Sequence, residues 1–541
     1  QLVERPPTDA DRRLCLFNVI VATEWYPSQR YLRQLEWAFR RACDFLYDVT
    51  DGLMAFGRVI FAGPELLGCA DIQIMASNRL FARTWVSGLH EAMKYMGIRV
   101  GRGVWHKNNH VSIPWDEPEA YRGLVHEWGH YALDLSDEYL ETHDVFLPGA
   151  VDPASLPAQR LASGSYALVL PRISLATESI MGTLEGTSEL VPRTGGPSLK
   201  RRQDVWESIR RKGRYPFLFP NPQNDPQPID GPDRFPLPLP RYHRLGAPAA
   251  SAARASDEAT LAVPLGIDPD HCWVYVVQGP LDKPRRLIAQ GTLDARSAGD
   301  GFQLLGAAAG DTVILVGAAD EELLVLRGTI DAVDPKEQRA LITDWRPATP
   351  AAPPDSRTPV PIVDVVPSRM DPARPDDQLA EISVRVVADE RALPSQVWIF
   401  PHGQLDPGAV IAPGAPDRAD WTSSPQRVGS LDGHVLLRWS DGSLLLYTYS
   451  QGGGPMTHTP PGPPSISAGS PEGNIMLFFE DGQQGRDYSA VRVVTTMLHG
   501  MRYRQGGKVA RSYAFSIASN EALPTELNPT MIMYFDLAAP R

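Results

Sequence analysis

Along the first 140 residues the apolar positions switch repeatedly between strand-like runs and helical spacing. "CLFNVIVA" (15–22) is an apolar run of strand length and reads as a buried strand. "SQRYLRQLEWAFRRACDFLYDVTDG" (28–52) then places Leu32, Leu35, Phe39, Ala42, Phe45 and Leu46 on one helical face, with Gly52 beyond the end. "FGRVIFAG" (56–63) and "DIQIMAS" (71–77) read as short strands, and "RTWVSGLHEAMKYMG" (83–97) as a second helix. "NHVSIPW" (109–115) alternates and reads as an edge strand. "DEPEAYRGLVHEWGHYALDL" (116–135) is a third helix, with Asp116 as the expected N-cap and Glu119 completing a capping box.

Beyond residue 215 the pattern changes. "YPFLFPNPQNDPQPIDGPDRFPLPLP" has proline every two or three residues, which forbids a regular helix or a central strand. It reads as an extended linker laid along the first domain by its aromatic side chains. "HCWVYVVQG", "RRLIAQGTL", "TVILVGA", "ELLVLRGTI" and "RALITDW" are strand-like runs of a small β-barrel or sandwich, and "RPATPAAPPDSRTPVP" is a second linker. The expected organisation is a first domain over 1–215, a Pro-rich linker over 216–250, a β-domain over 251–345, a linker over 346–362 and a β-sandwich-like domain over 363–541. "DGHVLLRWSDG" (432–442) is echoed by "EGNIMLFFEDG" (472–482), which reads as two hairpins turning at Asp441-Gly442 and Asp481-Gly482 rather than as propeller blades.

A chain of 541 residues is long enough for two to four domains. The net charge of −12 argues against a general nucleic-acid or anionic-membrane binder. No apolar run approaches the ~18 residues of a membrane-spanning helix. The four cysteines, Cys15, Cys43, Cys69 and Cys272, are too few for a disulfide scaffold and none has metal-ligand spacing. The 51 prolines, about twice the average usage, cluster in the linkers.

The chemistry-bearing stretch is "GLVHEWGHYALDLSDEYLE" (123–141). On a helix, residues four apart share a face, so His126 and His130 can turn both imidazoles to one ion. Neutral imidazole suits zinc, and a catalytic zinc takes three protein ligands and a water. Glu127 stands one residue round from His126, where a general base for that water belongs. Leu124, Val125, Trp128, Ala132 and Leu133 make the helix apolar, unlike a solvated charged face that spells the motif by chance. Two histidines and a glutamate inside such a helix need polar partners. Asp134 stands where the helix should break, since Asp tolerates the left-handed conformation better than most side chains. Either Asp137 or Glu138, just beyond, is placed to supply the third ligand.

"HEWGHYALDLSDEY" resembles the signature of the bacterial IgA-peptidase-like metallopeptidases, and is similar to the metallopeptidase domain of calcium-activated chloride channel regulators. The resemblance covers about residues 12–200. It implies an α/β metzincin-like catalytic domain followed by C-terminal all-β domains, with zinc held by His126, His130 and Asp137. It also implies a Met-turn beneath the metal, which "TESIMGT" matches through Ser179 and Met181. The chain departs from the channel regulators at position 134, where they carry Gly and this chain has Asp.

The function expected is zinc-dependent endopeptidase activity on a protein or peptide substrate, with Glu127 as general base and an extracellular or cell-surface location. Two rivals are a protease dedicated to itself or one partner, and a binding protein that keeps the scaffold. His106, His110, His143 and Tyr139 are weaker candidates for contacts around the site.

Overall fold

The computed structural model describes residues 13–80, 97–106, 111–135, 239–245, 258–262, 272–293, 301–319, 322–334, 338–348, 395–401 and 433–449, with shorter stretches elsewhere, among them 88–90, 180–181 and 213–215. Asp137, Glu138, Tyr139, His110, Ser179 and most of the expected helix over 83–97 lie outside the described residues. Strands in several sheets dominate, beside two α-helices and one short 3₁₀ helix, Pro64–Cys69, so the described chain is a mainly β, mixed multidomain protein.

The N-terminal part is a six-stranded sheet carrying both described α-helices, parallel except for the short Leu2–Glu4, which pairs antiparallel with Arg13–Cys15. Its strands lie in the order Arg241–Arg244, Met54–Ala62, Arg13–Thr23, Ile72–Ile74, Ile98–Val100, each parallel to its neighbour. Helix α1, Gln29–Val49, makes the first crossover. Ser28 caps it by accepting from the Tyr31 N–H, and Asp51 and Gly52, both at positive φ, turn the chain back into the sheet. Its buried face holds five of the six residues the spacing predicts, with Phe45 only half-buried, and is widened by Ala38, Cys43, Tyr47 and Val49. Helix α2, Pro118–Leu133, is held against the same face. Phe56 meets Phe39 of α1 at 6.0 Å and Trp128 of α2 at 5.0 Å.

Two expectations are corrected here. Helix α2 begins with Glu117 at the N-cap and no side-chain cap, not with Asp116 and a capping box. Pro118 at its first turn explains this, because the missing N–H needs no partner and its φ is already helical. The segment read as a linker over 216–250 contributes Arg241–Arg244 to the sheet. Flanking Pro238 and Pro240 exclude a central strand but not an edge, and this strand is an edge, seated by Tyr242 stacking on Phe61 at 5.9 Å. "NHVSIPW" supplies Val111–Ile113, an edge strand as expected, which pairs with Val104–His106 in a separate two-stranded hairpin.

The region over 258–347 forms two sheets. Arg346–Pro347 still pair with Leu326–Arg327, so the ladder runs two residues into the segment read as the second linker. The strand Cys272–Gln278 is buried at every position. Cys272, Val274 and Val276 join the core shared with the N-terminal domain, while Trp273, Tyr275 and Val277 pack with Val397, Ile399, Val435 and Leu437 of the next domain. An uninterrupted apolar run is what a strand covered on both faces requires. Opposite it, Arg286–Thr292 carries a β-bulge. Val274 pairs with Gly291 and Tyr275 with Ala289, leaving Gln290 as the extra residue.

In the C-terminal region Gly433–Arg438 and Leu444–Tyr449 form the expected hairpin, turned at Asp441-Gly442 with Gly442 at φ 87°. In the second copy Asn474–Phe478 pairs with Ile532–Asp536, and the expected turn at Asp481-Gly482 lies outside the described residues. Within the hairpin sheet His434 is buried, and desolvation pushes its imidazole down to about 3, so it is a neutral core residue. The cysteines are free thiols, with burial raising Cys15 and Cys43 to about 11. No helix among the described residues is long and apolar enough to cross a membrane.

Candidate functional site

Trp128 seats helix α2 on the sheet. Trp128, 1 % exposed, meets Phe17 edge-on at 5.2 Å and Phe56 at 5.0 Å, and leans on Tyr131 at 5.5 Å. Tyr131 in turn donates to Asp71 Oδ1 at 2.9 Å, while Asp71 Oδ2 accepts the Ile20 N–H at 2.8 Å. Burial raises the Asp71 carboxyl, and the Ile20 N–H works against that rise.

The end of the helix is equally well held. Asp134 closes it in the left-handed conformation, φ 60° and ψ 27°, as its side-chain type predicts. Asp134 N–H and Leu135 N–H both return to Gly129 O. Ala132 O accepts from Tyr215 Oη at 2.6 Å and lies 2.8 Å from His90 Nε2. Arg214 Nε stands 3.5 Å from the buried Asp134 carboxylate.

Between these anchors the two histidines converge. His126 Nε2 and His130 Nε2 are 3.2 Å apart, with their rings at 90° to each other. His126 Nδ1 is 2.8 Å from Ile180 O, and His130 Nδ1 is 2.7 Å from Leu135 O. A carbonyl can only accept, so each Nδ1 carries the donated proton, and in a neutral ring the lone pair falls on Nε2. Two such lone pairs face one another across 3.2 Å. A proton or a cation placed between them would satisfy both lone pairs.

The donor set fits zinc. Two zinc–imidazole bonds of about 2.0–2.1 Å meeting at a tetrahedral angle span about 3.3–3.4 Å. Ring N–H groups donating to backbone carbonyls are the support that metal-binding histidines usually receive. Glu127, beside His126, is also buried, at 7 % exposed. Among the described residues no group of three or more His, Cys, Asp or Glu side chains stands ready for a metal. Asp137, which the resemblance makes the third ligand, lies outside the described residues.

Met181 is fully buried under the helix. A Cβ added to Gly129 would meet Met181 Sδ at 2.6 Å and Cε at 3.3 Å, so the glycine between the histidines lets the methionine approach the backbone. The same short segment therefore orients His126, through Ile180 O, and supports the helix from below, through Met181. Replacing Gly129 by Ala should be costly only while the thioether is present. In a cycle of Gly129→Ala, Met181→Ala and the double variant, unfolding by denaturant should give a coupling of at least about 1 kcal/mol, within the range for residues in contact. Additive effects would show that the two do not touch.

The motif is legible in the sequence, but its supports are not. Ile180 O and Leu135 O act through the backbone, which no residue type advertises. Gly129 was visible inside "HEWGH", yet its reason lies in a residue far along the chain. His90 and Tyr215 stand in segments with no motif. His106 lies in the strand Val104–His106 and His143 in Glu141–Val145, and their side chains lie outside what the structure describes. A scan of family models found no match to this chain, and searches of the curated proteins and of the solved structures returned none either.

Proposed function

We propose that the chain is a zinc-dependent endopeptidase whose N-terminal domain is metzincin-like and resembles the bacterial IgA-peptidase-like metallopeptidases. The observation that carries this reading is the pair of imidazoles facing one another at 3.2 Å on a buried helix, each with its Nδ1 committed to a backbone carbonyl. Such a pair is prepared to hold a cation through Nε2. The parallel sheet beneath it, the break of α2 at Asp134 and Met181 beneath Gly129 support the metzincin-like assignment.

In this proposal His126 and His130 hold zinc, with Asp137 as the third ligand. A bound zinc ion supplies Lewis-acid activation of water and of the substrate carbonyl. Glu127 accepts a proton from the attacking water and passes it to the amine nitrogen as the C–N bond breaks. Burial of Glu127 shields that proton from bulk solvent. The C-terminal β-domains would position substrate or anchor the enzyme, and the site of action would be extracellular or at the cell surface.

Elemental analysis of the purified chain should find one zinc. His126→Ala, His130→Ala and Asp137→Ala should each lower occupancy sharply, whereas Glu138→Ala should leave zinc bound and cost at most stability. Full occupancy in both histidine variants would end the metal reading. A metal that survives Asp137→Ala but not Glu138→Ala would move the third ligand without touching the rest. Turnover of unrelated unfolded proteins separates a general peptidase from one that makes a single internal cut.

A further inference from the structure

The connection between the α/β sheet and the first β-domain is made by more than the chain. At the C-terminal ends of the parallel strands Asn78 is set into the bulged strand as though it were a strand itself. Asn78 N–H donates to Gln290 O at 3.0 Å, its Nδ2 donates to Thr292 O at 2.9 Å, and its Oδ1 accepts the Thr292 N–H at 3.0 Å. Gly291 makes room for it. At φ 95°, a Cβ there would fall 1.9 Å from Asn78 Oδ1.

Arg102 crosses the same boundary. Its guanidinium donates to Ala76 O at 2.5 Å on its own side, and to Gln303 O at 2.6 Å, Gln290 O at 3.0 Å and Gln290 Oε1 at 2.8 Å on the other. Gln290, the extra residue of the bulge, is fully buried and uses its side-chain amide to pair both ways with the backbone of Leu305, at 2.7 Å and 2.9 Å. Two further contacts frame the boundary. Arg286 Nη2 donates to Glu24 O at 2.7 Å, and Glu258 Oε1 accepts the Ser28 N–H at 3.0 Å. Apolar packing is continuous as well, with residues of both domains in one core.

We infer that the ends of the parallel strands, around Glu24, Ala76, Asn78 and Arg102, are a docking surface whose partner is the chain's own β-domain, residues 258–348. The two associate as an obligate pair independently of the peptide that joins them. Domains of one chain usually meet through modest polar interfaces and move relative to one another. Here backbone groups on each side find partners on the other, and separation leaves Gln290 O, Thr292 O and three of the four described Arg102 guanidinium contacts to be resatisfied by water. The crevice where open α/β sheets commonly take ligands is thereby filled by protein. The docking also reaches helix α2. Arg102 O accepts from Tyr31 Oη at 2.7 Å, and Tyr31 Oη accepts from the indole N–H of the buried Trp115, just before the helix, at 2.9 Å.

The test keeps the whole chain. A protease recognition sequence flanked by Gly and Ser is inserted between Leu245 and Glu258, and the purified protein is cut to completion. The two fragments should co-elute at micromolar concentration without denaturant. In the nicked protein Asn78→Ala with Arg102→Ala should raise the dissociation constant of the fragments at least tenfold, and Arg102→Lys, which keeps the charge but not the fork of donors, should fall between. Fragments of the unsubstituted chain that elute apart would overturn the inference. A dissociation constant unchanged by the double substitution would equally overturn the docking surface as assigned. Because co-elution of the unsubstituted halves needs no variant, a misfolded variant cannot shelter the idea.

Discussion

On the proposed zinc-peptidase reading, Glu127→Gln is expected to retain fold and zinc and to lose about 10²–10⁴-fold of turnover, the range for removal of a positioned general base. The two side chains are nearly the same shape, and position 127 is buried, so packing of the helix should hardly notice the change. What disappears is the ability to accept a proton. Glu127 adjoins His126 on the helix without lying on the four-residue stripe that His126 and His130 share, so the proposed zinc ligands are left intact. The check is kcat/KM on a cleaved peptide, with elemental analysis and far-UV circular dichroism on the same sample. Loss of turnover with zinc retained supports the assignment. An undiminished rate would give the carboxylate some other job, and loss of zinc along with activity would make it a ligand.

Trp128→Ala should be the most damaging single change to the stability of the site. The side chain is 1 % exposed and wedged between the sheet and the helix by Phe17, Phe56 and Tyr131. Truncating a buried Trp costs about 3–5 kcal/mol through lost transfer energy and the cavity left behind. At about 2–4 °C per kcal/mol for a domain of this size, the unfolding midpoint should fall by roughly 6–20 °C. Trp128→Phe keeps an aromatic ring between Phe17 and Phe56 and should lose much less. Calorimetry on the two variants decides it. A loss below about 1 kcal/mol for the alanine variant would mean that the helix is anchored elsewhere.

The local elements were legible because they depend on local chemistry. The spacing of Leu32, Leu35, Phe39 and Leu46 dictated α1, and the side-chain type of Asp134 foretold where α2 would turn. The histidine pair was legible for the same reason, since i, i+4 on a helix is a geometric fact. Contacts made across long sequence separation were not. Asn78 and Arg102 are single polar residues in loops, and their partners lie 214 and 188 residues away. No spacing marks such a pair. The edge strand Arg241–Arg244 was hidden for another reason. Proline rules out the middle of a sheet but leaves its border open, and composition alone cannot tell a linker from a border.

The double burial of Cys272–Gln278 removes a safeguard that most strands possess. Sliding a strand by one residue usually throws its apolar side chains into water, and that penalty keeps the ladder in step. Here a slip would only exchange Trp273 and Val274 between two equally dry compartments, so hydrophobicity cannot police the alignment. The bulge at Gln290 and the amide of Asn78 lodged against Gly291 serve as the alignment key. The β-domain thus takes its correct pairing partly from a residue that belongs to another domain, and the α/β sheet acts on it as a template.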